Sequence, residues 1–329
     1  MAPLVPRMHL FEIDDQTWFP SFLRARVQAA LTIAWTTHVP FIQKSSPAHL
    51  VAHILSTNLA TTVRDYVFID FCAGGGGPTP SIEKHLNQTI STTPPTATIT
   101  TNGTGHSPSP AHDDSSYAAV AAAPPPPAQP VRFILTDLHP HVDAWKKAAL
   151  LSPNLSFVRT SVDAAHAPGD LVGGYKAEGK KVFRLFNLAF HHFDDPLARA
   201  ILKNTVETSD GFGIFELQER SFLGGFLTCA LFGLGILVAA PYYAFLWQSP
   251  ATLVFTYLIP ILPFVLVFDG WMSALRTRTP DEVEALLRTC GAEGGEVEIA
   301  RWEVRSGKDV FMWPFGRLNW IVCVRKGER

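Results

Sequence analysis

Charge is scarce in this chain. Lys, Arg, Asp and Glu together make up 17% of the 329 residues, against roughly 25% in an ordinary soluble domain. The 27 basic and 29 acidic residues leave a formal net charge of −2. Without a basic surplus the chain has no electrostatic footprint for nucleic acid, which is therefore not an expected partner. Cysteine is also rare. Cys72, Cys229, Cys290 and Cys323 are widely spaced and form no CxxC pair, which excludes a disulfide framework and a cysteine-based zinc site and suits a reducing compartment. Residues 1–15 lack the apolar core of a signal peptide. Collagen, coiled-coil and wholly disordered classes are excluded by composition.

What remains divides into three compositions. Across 10–60, Trp18, Phe19, Phe22, Leu23, Val27, Leu31 and Trp35 recur at spacings of three and four, one apolar helical face. Leu50, Val51, Ile54, Leu55 and Leu59 mark a second helix. Core packing is the favoured role for both. Residues 66–71 (YVFIDF) form a short apolar run ending in glycines, a buried strand. Further strands are expected at 131–136 (VRFILT), 156–159, 181–187 (KVFRLFN) and 213–217 (GIFEL), with helices between them, and an antiparallel pair at 297–304 and 319–325. The β-α alternation predicts an α/β fold, a mostly parallel sheet with helices on both faces. Thr279 and Glu282, with Pro280 between them, spell a capping box.

Two tracts interrupt this pattern. Residues 88–130 are rich in Thr, Pro, Ala, Ser and Gly, with Asp113 and Asp114 the only charged residues. Such a composition cannot offset its ordering entropy and predicts a disordered surface insertion. Residues 221–268 hold no charged residue at all. Pieces 222–247 and 251–268, separated by Gln248, Ser249 and Pro250, predict a transmembrane helical hairpin. Both ends join the same domain, and Arg220, Arg276 and Arg278 flank the run, which favours a cytosolic face for that domain. The expected organisation is an N-terminal helical cap (1–64), a nucleotide-binding core (65–220), the hairpin (221–268) and a C-terminal completion of the core (269–329).

The chemistry concentrates at strand ends. Asp70-Phe-Cys-Ala73-Gly74-Gly-Gly76-Gly-Pro78 directly follows the first strand. Glycines at a strand-to-helix turn let a ligand approach the backbone closely. Asp137 ends the second strand, and removing the 43-residue insertion places it 24 residues after Asp70. An acid there is placed to take two ribose hydroxyls. A dinucleotide needs a third Gly or Ala, and Gly74-x-Gly76-x-x-Thr79 fails at that position. S-adenosylmethionine, an adenosine without phosphate, is the better fit.

On these motifs the sequence resembles the class I S-adenosylmethionine-dependent methyltransferases, and more closely a membrane-associated subgroup with an apolar insertion after strand five. IDFCAGGGGP resembles their first motif and LTDLHP the second. Ser161-Val162-Asp163-Ala164 resembles the adenine-contacting segment, and Asn187-Leu-Ala-Phe-His191-His192-Phe-Asp194 the fourth motif. The resemblance implies a Rossmann-like sheet with an antiparallel C-terminal edge. It also implies residue roles. Asp70, Ala73, Gly74 and Gly76 hold the methionyl end. Asp137 takes the ribose and Leu138 packs on the adenine. Asp163 and Ala164 read the adenine edge, and Asn187 lines the pocket near the sulfonium.

The expected reaction is methyl transfer to a small, lipophilic acceptor near a membrane, with membrane lipid as a further partner and no metal. His191, His192 and Glu216 are the candidate bases, His192 slightly ahead of His191. Two rivals are weighed: an NAD(P)-dependent oxidoreductase, and a catalytically inactive membrane-anchored binding protein on the same fold.

Overall fold

A computed structural model describes residues 5–92 and 129–326. Five short strands, β1 (Tyr66–Asp70), β2 (Phe133–Leu135), β3 (Leu155–Phe157), β4 (Lys181–Asn187) and β5 (Gly211–Glu216), lie parallel. β6 (Trp302–Met312) and β7 (Gly316–Arg325) complete a seven-stranded mixed sheet of order β3-β2-β1-β4-β5-β7-β6, with β7 antiparallel to both neighbours. The antiparallel edge implied by the resemblance is therefore present. β1 and β5 are buried at every position, as expected of parallel strands covered on both faces.

In chain order the helices are α1 (Ser21–Thr36), α2 (Pro47–Leu59), α3 (Thr79–Thr92), α4 (Val142–Ala149), α5 (Gly169–Ala177), α6 (Asp195–Thr208), α7 (Thr228–Leu246), α8 (Pro250–Leu253), α9 (Ile261–Arg276), α10 (Pro280–Arg288) and α11 (Gly295–Ile299). Alternation along each strand splits the core in two. Phe68, Phe133, Phe183 and Phe215 face one layer with α2 and α3. Ile69, Ile134, Phe186 and Ile214 face the other with α6 and α10. α10 begins with the expected capping box.

Three expectations change. The stretch 297–304 is not one strand: 295–299 are helical and β6 starts at Trp302. Gly294 and Gly295 take positive φ (86° and 55°), conformations that start a turn and that the apolar pattern alone does not encode. The tract expected from 88 begins later, because α3 continues to Thr92, while 93–128 lie outside the described residues. Its two ends are clamped together. The Asn87 side chain accepts from Val131 N (2.8 Å) and donates to Val131 O (3.1 Å).

The third change concerns the apolar run. One helical stretch, Phe222–Leu246, is long and apolar enough to cross a membrane. The second arm is broken, with Pro250–Leu258 and Ile261–Arg276 meeting at 68°. A transmembrane hairpin is not established by this geometry. The arms do pack: Gly233 lies against Val267 and Gly270 against Cys229. α1 joins them, with Phe19, Leu23, Val27 and Ala30 packed on Leu262, Val265 and Leu266. The flanking arginines are not free cations. Arg220 pairs with Glu282, Arg276 with Glu12 and Asp15, and Arg278 with Asp195, and all three are buried. They do not argue for a membrane side.

Candidate active site

The carboxyl ends of β1, β2, β3 and β4 form one edge, where ligands of parallel sheets sit. Asp70 closes β1 and is buried to 1% exposure. One carboxylate oxygen accepts from Thr79 Oγ1 and from Asn187 Nδ2 (3.2 Å), the other from Cys72 N (3.2 Å). Burial pushes its pKa up to about 6, against the lowering effect of those bonds. Asp70 thus ties together β1, the start of α3 and the end of β4. It braces the loop, while Oδ1, which takes only Cys72 N, keeps lone-pair capacity for the methionyl end expected of it.

The glycine loop stands over this brace. Gly74, Gly76 and Gly77 have positive φ (49°, 107° and 49°), and a Cβ on Gly74 would meet nothing within 4 Å. The loop backbone therefore borders open space. Ala73 N donates to Thr136 O (3.1 Å), and Trp145 Nε1 donates to Gly74 O (2.8 Å). Asp137 receives Gly74 N on one oxygen and His139 N on the other, both at 2.8 Å. Each oxygen keeps lone-pair capacity, so the carboxylate is both fixed and still able to accept.

The third segment joins them. Val162 N donates to Asp137 O (3.0 Å) and Ser161 Oγ to Leu138 O (2.7 Å). Leu138 is half exposed, and Asp163 is exposed while Ala164 is buried. Asp163 accepts from Ala165 N and meets His166 Nδ1 at 3.0 Å. Those bonds outweigh its partial burial and hold its pKa below the usual carboxylate value. Asn187 ends β4. Its amide nitrogen is used by Asp70 and Thr79, while its Oδ1 is buried without a protein partner. A buried amide oxygen left open beside a glycine loop is what a bound donor would satisfy. Asp137, Leu138, Asp163, Ala164, Asn187 and the Gly74–Gly76 turn all belong to this one edge.

The candidate bases form a separate polar cluster. His191 follows β4 and is buried, its Nδ1 2.9 Å from Glu216 Oε2 at the end of β5. Glu216 Oε1 also accepts from His191 N (3.2 Å). With Nδ1 bound to a carboxylate, Nε2 carries the lone pair in the neutral ring, and it lies 3.7 Å from Glu12. His192 is half-buried and reaches Asp15 at 3.2 Å. Burial opposes charge on this ring, but Asp15 and Glu12 outweigh it and raise the pKa to about 9. A histidine held protonated at neutral pH is a poor base, which reverses the expected order: His191 with Glu216 has the better geometry. The sequence reading missed Glu12, Asp15 and Arg276. The signal available was the acid cluster Glu12-Ile-Asp14-Asp15 ahead of an apolar helix, in a chain poor in charge. α1 also approaches the cofactor edge, with Gln28 Oε1 3.6 Å from where a Cβ on Gly75 would sit.

No family model matches the chain, and no curated protein matches it. Among solved structures it is similar to the methyltransferase domain of bacterial CtHen1-CN, with 12% identity and a TM-score of 0.39, over 84% of this chain and 97% of that one. A protein from Galdieria sulphuraria, provisionally assigned as a sarcosine dimethylglycine methyltransferase, matches with 10% identity and a TM-score of 0.38, over 94% and 98%. A provisionally assigned zinc-dependent alcohol dehydrogenase from Rhodobacter sphaeroides stands at the same level, with 11% identity and a TM-score of 0.36, over 85% and 99%.

Proposed function

We propose that the chain is an S-adenosylmethionine-dependent methyltransferase acting on a small, lipophilic acceptor. The observation that carries this reading is the Asp137 carboxylate, pinned by Gly74 N and His139 N beside an open glycine turn. An adenosine fits this arrangement: its ribose hydroxyls donate to Asp137, its base lies over Leu138 toward Asp163 and Ala164, and a polar amino-acid end has the glycine-loop backbone and Asn187 Oδ1. When bound, the sulfonium supplies an already activated methyl group. The chain's own contribution is alignment and exclusion of water. Acceptor deprotonation, where the acceptor requires it, falls to the cluster around His191 and Glu216. α1 and the segment bearing Glu12 roof that cluster and close it from solvent.

The apolar hairpin supports a membrane location. Val238, Tyr242, Phe245, Leu246, Leu258 and Phe264 are all more than half exposed, too much contiguous apolar surface for water. The first arm, Phe222–Leu246, is long enough at about 1.5 Å per residue to cover a hydrocarbon layer of about 30 Å. Arg26 stacks over Trp247 near the turn (5.0 Å). That contact and the break in the second arm fit a hairpin embedded from one face better than two full crossings.

Calorimetry is the test of the cofactor. S-adenosylmethionine or its demethylated product should bind and NAD should not; NAD binding alone would replace this reading with the oxidoreductase. Cofactor binding without turnover on any acceptor found by untargeted metabolite comparison would favour the inactive binding protein.

A further inference from the structure

Glu12, His191 and His192 come from two distant stretches of sequence and bring donor atoms to within 4.8 Å of one another. His191 Nε2 lies 3.7 Å from Glu12 Oε1, and His192 Nδ1 lies 3.8 Å from Glu12 Oε2. Neither contact is a hydrogen bond at that length. Donor atoms around a tetrahedral ion with bonds of about 2.0–2.1 Å lie roughly 3.3–3.4 Å apart. The donor atoms stand wider apart than that, within 4.8 Å, so the three side chains must draw inward to close on an ion.

Each of the three also has an outer partner of the kind that orients metal ligands. Glu216 takes His191 Nδ1 at 2.9 Å, which turns Nε2 toward Glu12. Glu12 Oε1 is held by Ser273 Oγ (2.9 Å) and Arg276 Nη1 (3.0 Å), while Oε2 faces His192. Asp15 stands 3.2 Å from His192 Nδ1 and from Arg276 Nη1. In formal charge, the three carboxylates of Glu12, Asp15 and Glu216 face one guanidinium. A metal ion displaces the proton from His192, and the two negative charges then left in a largely buried site are balanced by one dication.

We propose that Glu12, His191 and His192 bind a divalent transition-metal ion, with Arg276 retained on Asp15. Two imidazoles and one carboxylate suit zinc, cobalt, nickel or ferrous iron rather than magnesium or calcium. Binding requires His192 Nδ1 to exchange its contact with Asp15 for the ion, so protons leave as metal enters. The proposal concerns the polar cluster of the methyl-transfer reading and replaces His191 as its base, because a metal-bound Nε2 has no lone pair to offer; it is tested by metal binding alone, so the cofactor reading and the metal site can each fail without the other.

The experiment is titration of the purified full chain, in detergent and without cofactor, with cobalt(II) alone and with zinc(II) alone. One saturable equivalent is expected, with a visible cobalt spectrum of mixed nitrogen and oxygen ligation. His192→Ala and Glu12→Gln should each remove that equivalent or weaken it at least tenfold. Glu216→Gln, which leaves all three ligands in place, should weaken it about 10- to 100-fold. A folded wild-type chain that takes up neither metal overturns the proposal, and so does uptake unchanged by all three substitutions. In either case the cluster is an ion-pair clamp alone. Should a variant fail to fold by circular dichroism, the wild-type stoichiometry and the remaining variants decide.

Discussion

Asp137 receives one backbone N–H on each oxygen and retains capacity for a ligand. Removing it has two effects in one direction: a charged acceptor is lost, and Gly74 N is released. Asp137→Ala should therefore weaken S-adenosylmethionine binding by about 1.5–3 kcal/mol, roughly ten- to a hundredfold, as read by calorimetry. Unchanged affinity would remove Asp137 from the site. Asp70 makes a different prediction. Its folded pKa is about 6, raised by burial from an ordinary 3.8. Between those values the folded state holds the extra proton. The carboxyl's contribution to stability is thus most favourable near pH 4 and falls as pH rises toward 7, by on the order of 2–3 kcal/mol. Asp70→Asn resembles the protonated carboxyl and cannot ionise. The variant's stability relative to wild type should rise between pH 4 and pH 7 in urea denaturation. A pH-independent difference would mean that Asp70 is already charged at no cost.

Among elements, β4 does the most positioning. Its buried Arg184 has no carboxylate partner. It donates to Ala164 O, Ser209 Oγ, Asn204 Oδ1 and Thr208 Oγ1, and lies 4.2 Å from the Phe71 ring. Burial brings its pKa down to about 9. One strand thereby fixes the backbone at Ala164 through Arg184 and the brace of the glycine loop through Asn187. The apolar hairpin answers to a different solvent. Val238 and Phe245 are 84% and 85% exposed, so charging them disturbs no packing. Wild-type protein should stay with the membrane pellet through a carbonate wash. Val238→Asp combined with Phe245→Asp should release it, with cofactor affinity intact. Carbonate extraction of the wild type would make the hairpin a soluble cap over the site.

In the whole molecule, the sheet sits between two apolar cores, and the N-terminal segment closes its ligand edge by pairing with α9 rather than with the sheet. Ile13 N and Asp14 N donate to Asp269, and Met8 N to Leu275 O. The polar cluster is thus assembled from residues 12–15, 191–192, 216 and 273–276. Residues 93–128 connect α3 to β2. Asn87 already fixes the ends at Val131, and loop-closure entropy changes slowly with length. Replacing 93–128 with a few flexible residues should leave the melting temperature within a few degrees and cofactor binding unchanged. A binding defect would show that the tract does more than connect.

Local pattern by itself determined the parallel strands, the glycine turn, the acid one βαβ repeat later, the capping box at Thr279 and the uncharged run. Each is written in neighbouring residues, as period, turn chemistry or composition. The roles of the charged residues were decided only by tertiary structure. Asp70 reads as a ligand in sequence, and only the fold shows that it also braces the loop, because Thr79 and Asn187 converge on it. Arg276 reads as a membrane flank and is a buried partner of Glu12 and Asp15. His191 and His192 are chemically identical neighbours in the chain, and Glu216 and Asp15, remote in sequence, make them different. Spacing along a chain sets local geometry, but a side chain's charge and reach depend on which distant groups share its desolvated space.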